Sequence, residues 1–141
     1  MSLQDELDIT PLKKALETLK KGYEIHNENK NLVNEEMLDA LEDSCVKRYV
    51  YTYEMVKKIM TRFLKTISEI NVDDHSISNI IKEMFNKNLI KNLNNWNKYR
   101  NQRNTILYKC DIVLSRSVLD IIPNFIGDVD YLIKSIEERL E

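Results

Sequence analysis

The chain predicts an all-α fold, an up-and-down bundle of four or five helices in a single domain spanning 1–141. Three observations carry this. The 141 residues include only two glycines and two prolines, too few for the tight turns that strands demand. Apolar residues recur at steps of three and four along most of the length, the period of a helix with one buried face. Residues 34–70 contain neither Gly nor Pro, so nothing punctuates one long helix there. A chain of this size builds a core without disulfide or metal staples.

Residues 1–8 are acidic and polar and read as a disordered leader. Thr10 is the expected N-cap of the first helix, with Pro11 at its first position, where a missing N–H costs nothing. Leu12, Ala15, Leu16, Leu19 and Tyr23 form its inner stripe. The second helix is the longest, about Asn34 to Ile70. Leu38, Leu41, Cys45, Tyr49, Thr52, Val56, Ile59 and Phe63 advance by threes and fours, a heptad-like seam that implies antiparallel bundle packing. Tyr49 and Tyr53 are expected in the core, and Glu54 is spaced to pair with Lys58 at i,i+4.

Ser76 can cap a third helix to about Lys87, with Ile77, Ile80, Ile81, Met84 and Phe85 inside. Asn88 suits a left-handed position beyond its C-terminus. Asn92 or Asn94 starts a fourth helix, which loosens near Thr105 and Ile106. Asp111 is the expected N-cap of a fifth. Its stripe runs from Leu114 through Val118, Ile122, Phe125 and Val129 to Leu140. Pro123 is expected to kink or split it.

Composition narrows the function classes. The net charge is −2, so the whole chain is no polycation. Residues 75–110, however, carry seven cations and one anion (Glu83). Such a patch either draws phosphates or an acidic partner by local field, or is an ordinary solvated face. No apolar run is long enough to cross a bilayer, and the N-terminus is unlike a secretory signal. Cys45 and Cys110 lack metal spacing; as free buried thiols they suit a reducing cytoplasm. His26 and His75 stand alone, so no metal site is expected. Two glycines cannot build a phosphate loop, and no Ser or Cys sits in a nucleophile elbow. No cofactor is expected.

The chemistry concentrates in Trp96 to Asp111. Trp96, Arg100, Asn104 and Leu107 share one face of a regular helix, with Arg103 at its edge. That face mixes apolar bulk with cationic and amide groups. Either the polar groups are satisfied inside the fold or they line a site. For Arg103 the alternatives are a phosphate site and a partly buried salt bridge to Glu54 or Asp43. For Trp96 they are core packing and the wall of a cleft.

Three segments together resemble a known family. Leu41 to Glu54, with Arg48-Tyr49-Val50-Tyr51-Thr52-Tyr53-Glu54 and Lys57, is similar to a helix of pattern R-F-E-Y-T-Y-E-x-x-W-K. Ser76 to Ile90 is similar to S-P-R-x-x-I-R-E-A-F-x-x-G-L-I. Trp96 to Asp111 is similar to W-x-x-x-x-x-x-R-N-x-x-x-H-x-Y-D. In this order they resemble the nucleotidyltransferase substrate-binding protein family, within the HEPN superfamily of helical bundles. The departures fall on the chemistry. Arg103 and Asn104 match the family's Arg-Asn pair, but Tyr108 stands at its His and Cys110 at its Tyr. Val50 replaces Glu, and Asn88 replaces Gly.

The resemblance implies a homodimer that pairs with a separate small nucleotidyltransferase, in some systems as a toxin–antitoxin pair. Active HEPN ribonucleases use the Arg-Asn pair and the His on RNA. A phenol of ordinary pKa near 10 is a poor acid–base group at neutral pH, so no residue is assigned a catalytic role; Arg103 and Tyr108 are the degenerate candidates. The expectation is a non-enzymatic bundle in which Arg103, Asn104, Arg100, Trp96 and Tyr108 hold a nucleotide or RNA phosphate. The alternatives are a HEPN ribonuclease toxin with a degenerate motif and a structural scaffold without nucleotide binding.

Overall fold

A computed structural model describes residues 7–67, 76–108 and 112–140, without the side chains of 67, 107, 108 and 112–115. Among the described residues there are five helices and no strand: α1 (Thr10–Asn29), α2 (Glu35–Ile67), α3 (Ile77–Asn86), α4 (Leu93–Tyr108) and α5 (Ile112–Leu140). Cross-helix bonds fix their directions. Thr52 Oγ1 donates to the Ala15 carbonyl at 3.2 Å, Arg48 Nη1 to that of Thr18 at 2.9 Å, and Cys45 Sγ to that of Gly22 at 3.4 Å. Rising numbers on one helix meet falling numbers on the other, so α1 and α2 are antiparallel. Lys13–Glu137 and Lys20–Asp130, at 2.9 and 3.1 Å, set α1 antiparallel to α5 in the same way. The bundle is up-and-down, with α3 a short insertion.

The helix ends follow local chemistry. Asn34 accepts from the Met37 N–H at 2.8 Å and opens α2. Ser76 caps α3, accepting from Asn79 at 3.3 Å. Asn88 has φ 64°, and Leu89 and Asn88 donate back to Met84 and Phe85 at 2.9 and 3.0 Å. This is a Schellman closure with Asn in the left-handed place. Asn92 caps α4 through the Asn95 N–H at 3.0 Å.

Several expectations change. Ile9, not Thr10, occupies the cap of α1, and Asp8 accepts from the Thr10 N–H at 2.9 Å. Leu7, placed in a disordered leader, is buried in the core; residues 1–6 lie outside the described set. Phe85, expected inside, is 39% exposed. Its Schellman turn carries Leu89 and Ile90 inward instead. Glu54 pairs with Lys57 at 3.7 Å, one position short of Lys58. His26 is not alone: its Nε2 lies 3.9 Å from Glu42 Oε1, both side chains buried. That is beyond hydrogen-bond reach and within Coulomb range. The fourth helix does not loosen at Thr105 but runs to Tyr108. The cap role of Asp111 lies outside the described residues.

Pro123 does not split α5, which continues through it for 29 residues. A Pro in a helix costs about 3 kcal/mol. Ile122, Phe125, Val129, Leu132 and Ile136 on the same helix are fully buried. Each such side chain returns roughly 1.5–3 kcal/mol on burial, so the stripe outweighs the proline.

The core centres on an aromatic cluster from three helices. Phe125 meets Tyr49, Tyr99 and Trp96 edge-on, with ring centroids 4.8, 5.0 and 6.1 Å apart. Trp96 and Tyr99 are 5.3 Å apart and nearly perpendicular. The phenols are tied down. Tyr49 donates to the Tyr99 carbonyl at 2.7 Å. Tyr99 donates to Asp128 of α5, which also accepts from Asn95. These bonds lock α4 between α2 and α5, and so fix the residues that α4 presents toward α2.

A donor-rich wall between α2 and α4

Of the two alternatives for Arg103, the partly buried salt bridge is present, to Glu54. The arginine Nε lies 2.9 Å from Glu54 Oε1, and its side chain is only 14% exposed. Asp43, the other partner considered, pairs with Lys47 at 3.1 Å on its own helix. The ion pair does not satisfy the guanidinium. Arg103 Nη1 is buried with no hydrogen-bond partner, as are Arg100 Nε, Trp96 Nε1 and the Tyr53 hydroxyl. All four atoms can donate, and three of them, on Arg100, Arg103 and Tyr53, belong to groups that share the field of the Glu54 carboxylate.

These groups share one electrostatic environment. Burial pushes the Tyr53 phenol up to about 12, with Arg100 and Arg103 pulling it back and Glu54 pushing the same way as burial. Tyr53 therefore keeps its proton at neutral pH and remains a donor. The Tyr49 phenol is raised by burial and by Tyr53, with Arg103 opposing. Two guanidinium groups and Lys57 face one carboxylate, so the wall is net positive. A buried donor without an acceptor costs about 1–3 kcal/mol, so the donors of Arg100, Arg103 and Tyr53 favour an acceptor from outside the described chain, an ordered water or a bound anion. An anion with several oxygens fits that demand, and arginine binds phosphate through a fixed fork.

The site residues expected from the sequence divide. Arg100 and Arg103 are brought together. Trp96 is buried with its ring packed on Tyr99 and Phe125, so it offers no free face to stack a base, and its N–H is buried without a partner. Asn104 is exposed. The side chain of Tyr108, and all of Cys110, lie outside the described residues. The sequence marks Tyr53 only as core, and its unpartnered hydroxyl has no sequence signal. Glu54 was seen as a partner, but the pairing spans 49 residues of sequence and no local spacing marks it. Among the described residues no group of His, Cys, Asp and Glu is arranged to hold a metal, and no helix is long and apolar enough to cross a membrane.

Comparison with known proteins places the fold. The family model for nucleotidyltransferase substrate binding protein like chains matches residues 7–138. A curated relative from Haemophilus influenzae, the probable ribonuclease HepT, is 26% identical over 104 residues, covering 72% of this chain and 70% of that protein. The solved structure of HI0074 from Haemophilus influenzae is described as the fold of a substrate binding domain of a nucleotidyltransferase. It superposes with a TM-score of 0.84 at 21% identity, over 92% of this chain and 99% of that one.

Proposed function

The chain belongs to the nucleotidyltransferase substrate binding protein like family, and from that premise we propose that it is a non-enzymatic helical subunit that holds a nucleotide or RNA phosphate against the α2/α4 wall. It works beside a separate small nucleotidyltransferase, as a homodimer in the cytoplasm, in the manner of a toxin–antitoxin pair. One observation carries the reading: the buried, unpartnered donors of Arg100, Arg103 and Tyr53 lie in one another's field, with the Glu54 carboxylate among them. A phosphate supplies the missing acceptors and displaces or shares Glu54. The motif's His position is held by Tyr108, which leaves the wall without the usual acid–base group.

A second reading has its own support. The curated relative is named a probable ribonuclease, and Arg103 of this chain stands at the arginine of the motif it resembles. Incubating the purified protein with single-stranded RNA separates the two. The binding reading expects intact RNA. Cleavage that disappears in Arg103→Ala, with the fold retained, would make the protein a ribonuclease. For the partner, co-expression with the nucleotidyltransferase of an adjacent reading frame should give a complex that survives gel filtration. Separate elution would remove that part of the proposal.

A further inference from the structure

Glu54 is held at both oxygens by cations on two different helices. Its Oε1 lies 2.9 Å from Arg103 Nε of α4, and its Oε2 lies 3.7 Å from Lys57 Nζ, one turn along α2. The two contacts are unequal. The arginine contact has the length of a charge-assisted hydrogen bond and is sheltered, with the Arg103 side chain 14% exposed. The lysine contact is a loose ion pair beyond hydrogen-bond reach, and the Lys57 side chain is 41% exposed. In the free protein the carboxylate therefore rests on Arg103, with a second cation waiting at the solvent edge.

This resting state leaves Arg103 half used. Glu54 takes Nε, while Nη1 is buried with no acceptor. An oxyanion that offers two oxygens to the guanidinium fork satisfies both nitrogens at once. Exchanging Glu54 for such a ligand adds a hydrogen bond at Arg103. The exchange is costly only if it strands the carboxylate. Residues three apart share a helix face, so rotation about its own side-chain bonds carries the Glu54 carboxylate from Arg103 toward Lys57.

We propose that Glu54 is a built-in gate on the α2/α4 wall: it occupies the anion's place at Arg103 in the free protein and swings to Lys57 when an oxyanion arrives. The inference rests on the phosphate reading of the wall given above. It makes Lys57 a positioning residue, which favours binding by taking up Glu54 and not by touching the ligand. The anion then replaces the carboxylate as the tie between the helices, since Tyr53 of α2 offers its unpartnered hydroxyl.

The test is a double-mutant cycle on Glu54 and Lys57, which isolates the coupling between them. It is read by calorimetric titration with whichever of AMP and a short single-stranded RNA binds more tightly. Lys57→Met should weaken binding about threefold when Glu54 is present, the scale of an exposed ion pair. Lys57→Arg should retain the wild-type affinity. In the Glu54→Gln background Lys57→Met should have no such effect, because no displaced charge is left to receive. The Arg103 Nε–H signal in the NMR spectrum should shift when the ligand is added to the wild type, as its acceptor changes. Equal losses in the two backgrounds would mean that the lysine acts by its own field, and would overturn the gate while leaving the phosphate reading standing. No loss in either background would do the same. No binding of AMP or RNA by either the wild type or Glu54→Gln would overturn the phosphate reading and the gate with it.

Discussion

Arg103 and Glu54 meet across the α2/α4 seam at 2.9 Å, and the contact uses Nε while Nη1 stays buried without an acceptor. The pair is thus both a tie between two helices and an occupant of the place where an anion would sit. Glu54→Gln keeps the shape and removes the competing charge. It should raise affinity for AMP or short RNA severalfold while lowering stability by about 1 kcal/mol, the difference between a charge-assisted bond and the neutral one that Gln can keep. Isothermal titration and a urea midpoint read the two effects separately.

Tyr53 offers a test with opposite signs. Its hydroxyl is buried and unpartnered, so Tyr53→Phe removes an unsatisfied polar group. Stability should stay level or rise by up to about 1 kcal/mol. Phosphate affinity should fall roughly tenfold, because the hydroxyl gains its acceptor only from the ligand. A loss of stability by 2 kcal/mol or so would mean that the hydroxyl already has a partner in the free protein.

Phe125 touches Tyr49, Trp96 and Tyr99 and is fully buried. Phe125→Ala should cost about 3–5 kcal/mol. Denaturant unfolding would show it, and near-ultraviolet dichroism would lose the signal of the single tryptophan's packing.

Alkaline pH should unfold the protein cooperatively. Burial raises the phenols of Tyr49, Tyr53 and Tyr99, Tyr53 to about 12, and raises the Cys45 thiol to about 11. In the unfolded chain the same groups ionise near 10 and 8.5–9. The folded state therefore holds protons that the unfolded state releases. Stability is full below about pH 8.5 and falls as pH rises through roughly 9 to 12. The urea midpoint measured across that range should drop, and tyrosine ionisation at high pH should coincide with unfolding.

Much of the fold was legible because its signals are local. The α2 seam from Cys45 to Phe63 and the caps at Ser76 and Asn88 need only near neighbours in sequence, and each stands where periodicity and side-chain chemistry put it. Pro123 does not split α5 because the burial of the whole stripe, which no local pattern shows, outweighs the visible penalty. Phe85 misled because a Schellman turn, not the helix period, decides which side chain closes that end. The site was half legible. Arg100 and Arg103 stood out as cations on an apolar face. The unpaired state of Tyr53 and Trp96, and the choice of Glu54 over Asp43, depend on how α4 docks on α2 through Tyr49 and on α5 through Tyr99 and Asp128, which no short-range pattern encodes.

Calorimetric titration of the wild type and of Arg103→Ala with AMP and with a short single-stranded RNA decides whether the α2/α4 wall holds a phosphate. The wild type should bind at least one of them saturably below millimolar concentration, and Arg103→Ala should weaken that binding about tenfold or more while remaining folded. No binding by the wild type below millimolar concentration, with Arg103→Ala altering stability alone, would contradict the account and leave the bundle as a scaffold.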